Sequence, residues 1–152
     1  MRKGIRFAID YGDARVGLAK SDIDAIMAVP VATIKNDKNL LNNIIAHITE
    51  SSCLEVYVGL PRHLSGNIGS SANKSVNFAQ QLKKALVAIP VRMIDERLTT
   101  TSASARLQES GVNTRGQKGI IDQVAAIELL EQALDYEKRN NEIPGVEVDE
   151  VK

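Results

Sequence analysis

The sequence lacks the residues that stabilise secreted and membrane-bound proteins. It has one cysteine, Cys53, which excludes an internal disulfide framework and a zinc site built from cysteines. No apolar segment is long enough to span a membrane. The basic N-terminus is followed by an apolar segment, but Asp10 and Asp13 interrupt it, which excludes a signal sequence. We therefore expect a cytoplasmic protein without a membrane partner.

The chain also lacks net charge and has few aromatic residues. Nineteen basic and nineteen acidic side chains cancel, so the overall charge does not indicate a nucleic-acid partner, and any basic surface must be local. Aromatic residues make up 3% of the 152 residues, which predicts an aliphatic core. This length and a hydrophobic fraction of 43% are typical of one globular domain.

Short apolar segments alternate with helical patterns along most of the chain. The predicted strands are residues 5–9, 16–21, 27–34, 54–60 and 91–94, and the predicted helices follow residues 36–37 and span 72–88, 102–110 and 120–139. The first three strands are joined by short turns, which predicts antiparallel hairpins, while the last two alternate with helices, which predicts parallel strands. Pro30 predicts that the third strand is bulged or lies at an edge. We expect an α/β domain over residues 1–139, with a mixed five-stranded sheet flanked by helices, and a polar, disordered tail at 140–152.

Acidic residues lie where this sheet should reach its surface. Asp10 and the pair Asp95 and Glu96 end predicted strands, and Asp122 lies near the start of the last helix. Taken alone, Asp10 is typical of a turn residue, and Asp122 would interact with the helix dipole. Together, clustered carboxylates repel one another unless a cation is bound, and Mg²⁺ prefers such oxygen ligands. This pattern predicts a metal site of the kind that hydrolyses phosphodiesters.

The residues alone do not decide which acid of the fifth strand would belong to such a site. Successive residues of a strand point to opposite faces, so Asp95 and Glu96 are alternatives. Asp95 could instead bond to Arg15 or to a helix N-terminus.

Two polar loops are candidates for contact with phosphates. Residues 62–71 follow the carboxyl end of a strand, where α/β sheets bind ligands, and include Arg62 and His63. Residues 113–119 form a predicted loop with Arg115 and Lys118, which could bind a phosphate backbone. The alternative for each is a solvated surface loop, and the position at a strand end favours the functional interpretation only for residues 62–71.

Four segments of the chain together resemble the YqgF/RuvX family, whose members are described as Holliday junction resolvases and as nucleases of the 16S ribosomal RNA precursor. They are Asp-Tyr-Gly-Asp-Ala-Arg-Val-Gly-Leu-Ala at 10–19, Val-Gly-Leu-Pro at 58–61 with Gly66, Asp-Glu-Arg-Leu-Thr-Thr at 95–100 with Ala103, and Asp-Gln-Val-Ala-Ala at 122–126. The resemblance covers the domain from end to end. It implies a ribonuclease H-like fold, in which the catalytic, metal-binding residues are Asp10, Glu96 and Asp122, with Mg²⁺ or Mn²⁺ as cofactor.

The resemblance also bears on substrate binding. Arg15, Arg97 and Thr100 fall on family motif positions, which implies that they hold substrate or shape the site. The segment before the last helix is strongly basic in the family. Here it keeps only Arg115 and Lys118, which weakens the expectation of tight nucleic-acid binding.

Several functions remain open at this point. The leading one is a metal-dependent endonuclease that matures the 5′ end of 16S ribosomal RNA, with the small-subunit precursor as partner. The alternative is a resolvase of four-way DNA junctions, which would need a homodimer rather than a monomer to cut two symmetric strands. An actin-like ATPase needs a second half for which 152 residues leave no room. A non-catalytic RNA-binding assembly factor would have no reason to cluster carboxylates near phosphates.

Overall fold

The computed structural model of the chain describes residues 1–61, 69–95 and 114–151, with side chains described from residue 122 in the last range. Its elements, in order, are β1 (Ile5–Tyr11), β2 (Arg15–Ser21), β3 (Ala28–Lys35), α1 (Leu40–Thr49), β4 (Cys53–Leu60), α2 (Ser70–Ala85), β5 (Val91–Asp95), α3 (Thr114–Asn140), β6 (Val146–Glu147) and a 3-10 helix at Val148–Glu150. No helix in these ranges is long and apolar enough to cross a membrane.

The strands form one mixed sheet in the order β3-β2-β1-β4-β5-β6. β1, β2 and β3 pair as antiparallel hairpins, and β4 runs parallel to both β1 and β5. The predicted mixed sheet is therefore confirmed, and the carboxyl ends of β1, β4 and β5 meet at one edge. Pro30 lies on the outer strand and pairs with Ala19, where the ladder shifts register, as its missing N–H requires.

Helices cover both faces of the sheet because its strands alternate in the direction of their side chains. Phe7 and Ile9 point into a large aliphatic core beneath α1 and α2. Ala8, between them, points to the other face and packs against α3. Five of the ten buried residues in that second core are alanines, so α3 can approach the sheet closely.

The structure corrects the predicted start of the last helix. α3 begins at Thr114, not near residue 120, so Arg115 and Lys118 belong to the helix backbone rather than to a loop. Asp122 is consequently in the third turn, and an interaction with the dipole at the helix start does not explain it. The apolar stripe of α3 that faces the sheet does not include Val124 and Ile127, which are only partly buried. Its buried residues are Ala125, Ala126, Leu129, Leu130, Ala133 and Leu134.

The predictions for the first helix and for the helix at 102–110 have different outcomes. The first helix begins at Leu40, with Asn39 as its N-cap residue, rather than directly after residues 36–37. The Asn36 side chain donates a hydrogen bond to the Gly12 carbonyl, 2.7 Å away, so it is committed to the β1–β2 turn. The predicted helix at 102–110 lies outside the described residues.

The segment predicted to be a disordered tail is instead packed on the sheet. β6 adds a sixth strand beside β5, and Val148 is 1% exposed. Arg92 donates hydrogen bonds to the carbonyls of Pro144 and Gly145, both at 2.7 Å. The tail covers what would otherwise be an open edge at β5, a benefit that its polar composition does not reveal.

Candidate active site

Asp10 and Asp122 are brought to the same face of the sheet by a glycine. Asp10 lies opposite Gly17 in the β1–β2 ladder, and opposed residues of antiparallel strands point to the same face. α3 crosses that face so closely that a Cβ at Gly17 would collide with the Asp122 carbonyl oxygen and lie 3.0 Å from the Asp122 Cβ. A glycine inside a strand is a known signal of close backbone approach, and here it seats the second acid beside the first.

Arg15 completes the described part of this site. Its Nε donates to Asp122 Oδ2 at 3.0 Å, and the two side chains are 38% and 17% exposed. Burial raises the pKa of Asp122 above its ordinary value, and the hydrogen bond and charge of Arg15 offset only part of that effect. The site thus holds a carboxylate whose charged form is disfavoured even beside an arginine.

The turn that follows Asp10 is held from two sides. Besides the Asn36 hydrogen bond to Gly12, the Lys74 ammonium of α2 contacts the Asp13 carboxylate at 3.0 Å. Neither contact was anticipated, because both partners are distant in sequence and carry no local signal. The Asn36 hydrogen bond connects this turn to the end of β3, whereas the Lys74–Asp13 pair is exposed and contributes little to stability.

The sheet register separates Asp95 from this face. Asp95 is in register with Leu60, whose side chain belongs to the core beneath α1 and α2, while Ile94 packs on the α3 side. Asp95 therefore points away from the face that carries Asp10. Arg15, suggested as its partner, forms its ion pair with Asp122.

The remaining predicted residues have not been placed. Glu96, Arg62, Arg97, Thr100 and His63 lie outside the described residues, as do the side chains of Arg115 and Lys118. Within the described ranges, no group of three or more His, Cys, Asp and Glu side chains could hold a metal ion. Two of the three proposed ligands are thus described, and the third is not.

Comparison with known proteins decides the family. The family model described as "RuvX: Holliday junction resolvase" matches residues 4–136. The chain belongs to the RuvX family. A relative from Rhodococcus erythropolis is 46% identical, and the match covers 90% of this chain and 81% of the relative. A relative from Streptomyces coelicolor is 42% identical, and the match covers 99% of this chain and 92% of the relative. Both carry the name "Putative pre-16S rRNA nuclease".

The fold expected from the resemblance is confirmed as well. The structure of T. thermophilus RuvC, solved in complex with a Holliday junction substrate, matches this chain with a TM-score of 0.57 and 14% identity. The match covers 90% of this chain and 97% of the RuvC chain. At that identity the likeness establishes the ribonuclease H-like fold alone. As a RuvX nuclease, the protein is a hydrolase that acts on phosphodiester bonds.

Proposed function

We propose that this RuvX protein is a metal-dependent endonuclease that matures the 5′ end of the 16S ribosomal RNA precursor in the cytoplasm. The observation that carries the proposal is the convergence of Asp10 and Asp122 on one face of the sheet, at the carboxyl edge of β1. The choice of RNA is supported by relatives that share 42–46% of their residues with the chain and are named for that substrate.

The donor set fits a divalent cation. Carboxylate oxygens are the ligands that Mg²⁺ and Mn²⁺ prefer, and a nearby cation would relieve the unfavourable burial of charge at Asp122. We assign Asp10, Asp122 and Glu96 as the residues that would hold it. Glu96 is preferred to Asp95 because Asp95 points to the opposite face. When bound, such a metal activates water and stabilises the charge of the leaving oxygen.

The protein's own side chains would orient the substrate. Arg15 uses Nε on Asp122, which leaves the terminal nitrogens of its partly exposed guanidinium to donate to a phosphate. This contact would tie substrate binding to the position of Asp122. We assign further phosphate contacts to Arg62, Arg97, Thr100, Arg115 and Lys118, on the grounds of sequence alone.

The second candidate function is resolution of four-way DNA junctions. It is favoured by the description of the matching family and by the likeness to RuvC. Such an activity requires two active sites related by symmetry, and hence a homodimer.

One assay separates these functions. Wild type and Asp10→Asn are incubated with Mg²⁺ or Mn²⁺ and a ribosomal RNA precursor fragment, an unrelated single-stranded RNA, or a four-way DNA junction. We expect metal-dependent cutting of the precursor that Asp10→Asn abolishes. Symmetric cutting of the junction alone would replace the proposal with the resolvase, and equal cutting by both proteins would remove Asp10 from the site.

A further inference from the structure

A cavity lies at the end of β1, on the face of the sheet opposite Asp10. Tyr11 follows Asp10 in the strand, so its side chain points the other way, where it stacks on Phe78 of α2 with ring centroids 4.9 Å apart and planes at 25°. The rings form part of a cavity of about 360 Å³, which also takes in Lys38 and the α2 side chains Asn77 and Gln81. A cavity of this volume can hold a small ligand.

The lining of this cavity holds two aromatic rings, three amide side chains, two leucines, and two lysines beside one aspartate. Lys74 is already paired with Asp13, and Lys38 is adjacent to Asp37, which also lines the cavity. With Lys74 paired to Asp13, which lies outside the lining, one lysine and one aspartate remain, and they do not select a phosphate over a neutral ring. Asn77 and Gln81 are exposed amides one helical turn apart, able to donate and accept hydrogen bonds as the edge of a base requires.

The location beside the candidate active site suggests what the ligand is. The chain has only three Tyr, two Phe and no Trp, and two of these five rings stack here. Adjacent Cα atoms are about 3.8 Å apart, so Asp10 and Tyr11 project from nearly one point to opposite faces. A nucleic-acid strand crossing the turn at residues 12–14 would pass directly from one to the other.

We propose that this cavity binds a base of the single-stranded nucleic acid next to the bond that is cut. The inference rests on the proposed nuclease function and extends it with a binding subsite. Tyr11 would stack on the base, and Asn77 and Gln81 would hydrogen-bond to its edge. Stacking on aromatic side chains is the general means by which proteins bind single strands with little sequence preference.

The test is a binding cycle between protein variants and abasic RNA. Fluorescence anisotropy measures how tightly the protein binds a short fluorescein-labelled RNA, and copies of it in which one nucleotide at a time is abasic. Divalent metal is left out so that the RNA stays intact. For the wild type, an abasic nucleotide at one position beside the cut should weaken binding about tenfold. In Tyr11→Leu, that position should lose its effect, because the leucine keeps apolar bulk but cannot stack.

Variants of the exposed amides test the subsite with little risk of misfolding. The double variant Asn77→Ala, Gln81→Ala should raise KM about fivefold to tenfold and leave kcat unchanged, while the control Gln80→Ala, Lys84→Ala on another part of α2 should change neither. If abasic sensitivity is equal in all proteins while Asp10→Asn still abolishes cutting, the subsite is wrong and the nuclease stands. If the wild type neither binds nor cuts RNA, both proposals are overturned.

Discussion

The sheet face covered by α3 carries different arrangements of charged side chains at its two ends. Arg6 and Asp10 both project from β1 toward α3, roughly 13 Å apart at the usual rise of a strand. At the amino end, Arg6 is fully buried and lies 2.9 Å from Glu137 of α3. Arg2 joins them, 2.6 Å from Glu137 and 2.9 Å from Glu55 of β4. Two arginines and two glutamates thus form a network of balanced charge, in which Arg6 Nε and Nη1 are buried without a hydrogen-bond partner among the described residues.

The carboxyl end has the reverse composition. Asp10 and Asp122 both lie next to Gly17 on this face, with Arg15 as the cation paired to Asp122. Burial tends to raise the pKa of Glu137 too, but its hydrogen bonds from Arg2 and the charge of Arg6 prevail and hold the value below normal. At Asp122 burial prevails instead. The difference fits a stabilising role for the amino end and the catalytic role that we propose for the carboxyl end, where burial disfavours the charged form of Asp122.

The largest expected effect separates activity from stability. Asp122→Asn should lower the cleavage rate about a thousandfold or more, because it removes one of the three carboxylates that we propose as metal ligands. A carboxylate with a raised native pKa contributes stability only at low pH and loses that contribution as the pH rises. At neutral pH, Asp122→Asn should therefore unfold at the same temperature as the wild type or higher. A marked drop in melting temperature would show that Asp122 is a structural residue.

Glu137→Gln should give the opposite pattern. Removing one partner of a buried ion pair leaves the arginines uncompensated, which costs about 3–5 kcal/mol. We expect a much lower unfolding free energy in urea, with cleavage per folded molecule retained. The matched control is Asp135→Asn on the same helix, because the Asp135–Arg139 pair is exposed and should contribute under about 1 kcal/mol. Equal effects of the two variants would contradict the structural role of the network.

Gly17→Ala should affect both properties at once. The added methyl group meets the Asp122 carbonyl and must push α3 away from β2, an overpacking that costs about 1–3 kcal/mol. Displacing Asp122 by even about 1 Å should slow cleavage about a hundredfold. Paired urea unfolding and cleavage measurements test this, and a fully active Gly17→Ala protein would show that the close approach is not needed for catalysis.

The sequence predicts those features of the site that depend on local pattern. Apolar periodicity and proline chemistry predict the first strand, the edge position of Pro30 and the parallel placement of β4. The predicted start of α3 was wrong because a basic segment that contains glycine is locally typical of a loop, although it belongs to a 27-residue helix. The packing of the tail was missed because its stability comes from contacts with β5 that lie far away in sequence.

Long-range pairing also explains what the sequence did not show at the two ends of the face. Glu137 and Arg6 are separated by 131 residues, and nothing near either one predicts a buried ion pair. Gly17, by contrast, carried a usable signal, since an isolated glycine inside a strand indicates a close neighbour. The identity of that neighbour, Asp122, required the fold.

The smallest expected effect is a difference in acid sensitivity. Arg2, Arg6 and Glu55 surround Glu137, and the lowered pKa of its carboxyl means that its stabilising contribution is complete above the ordinary glutamate value of 4.5. That contribution disappears as the pH falls below this value toward the native pKa. The gap in unfolding free energy between wild type and Glu137→Gln should therefore stay constant from neutral pH to about pH 5 and narrow at lower pH, as urea titrations at each pH can show. Asp122 has a raised pKa and acts in the opposite direction, so Asp122→Asn should steepen the acid loss of stability. If this gap instead widened in acid, the ionised Glu137 carboxylate would not be the source of the stability that the network contributes.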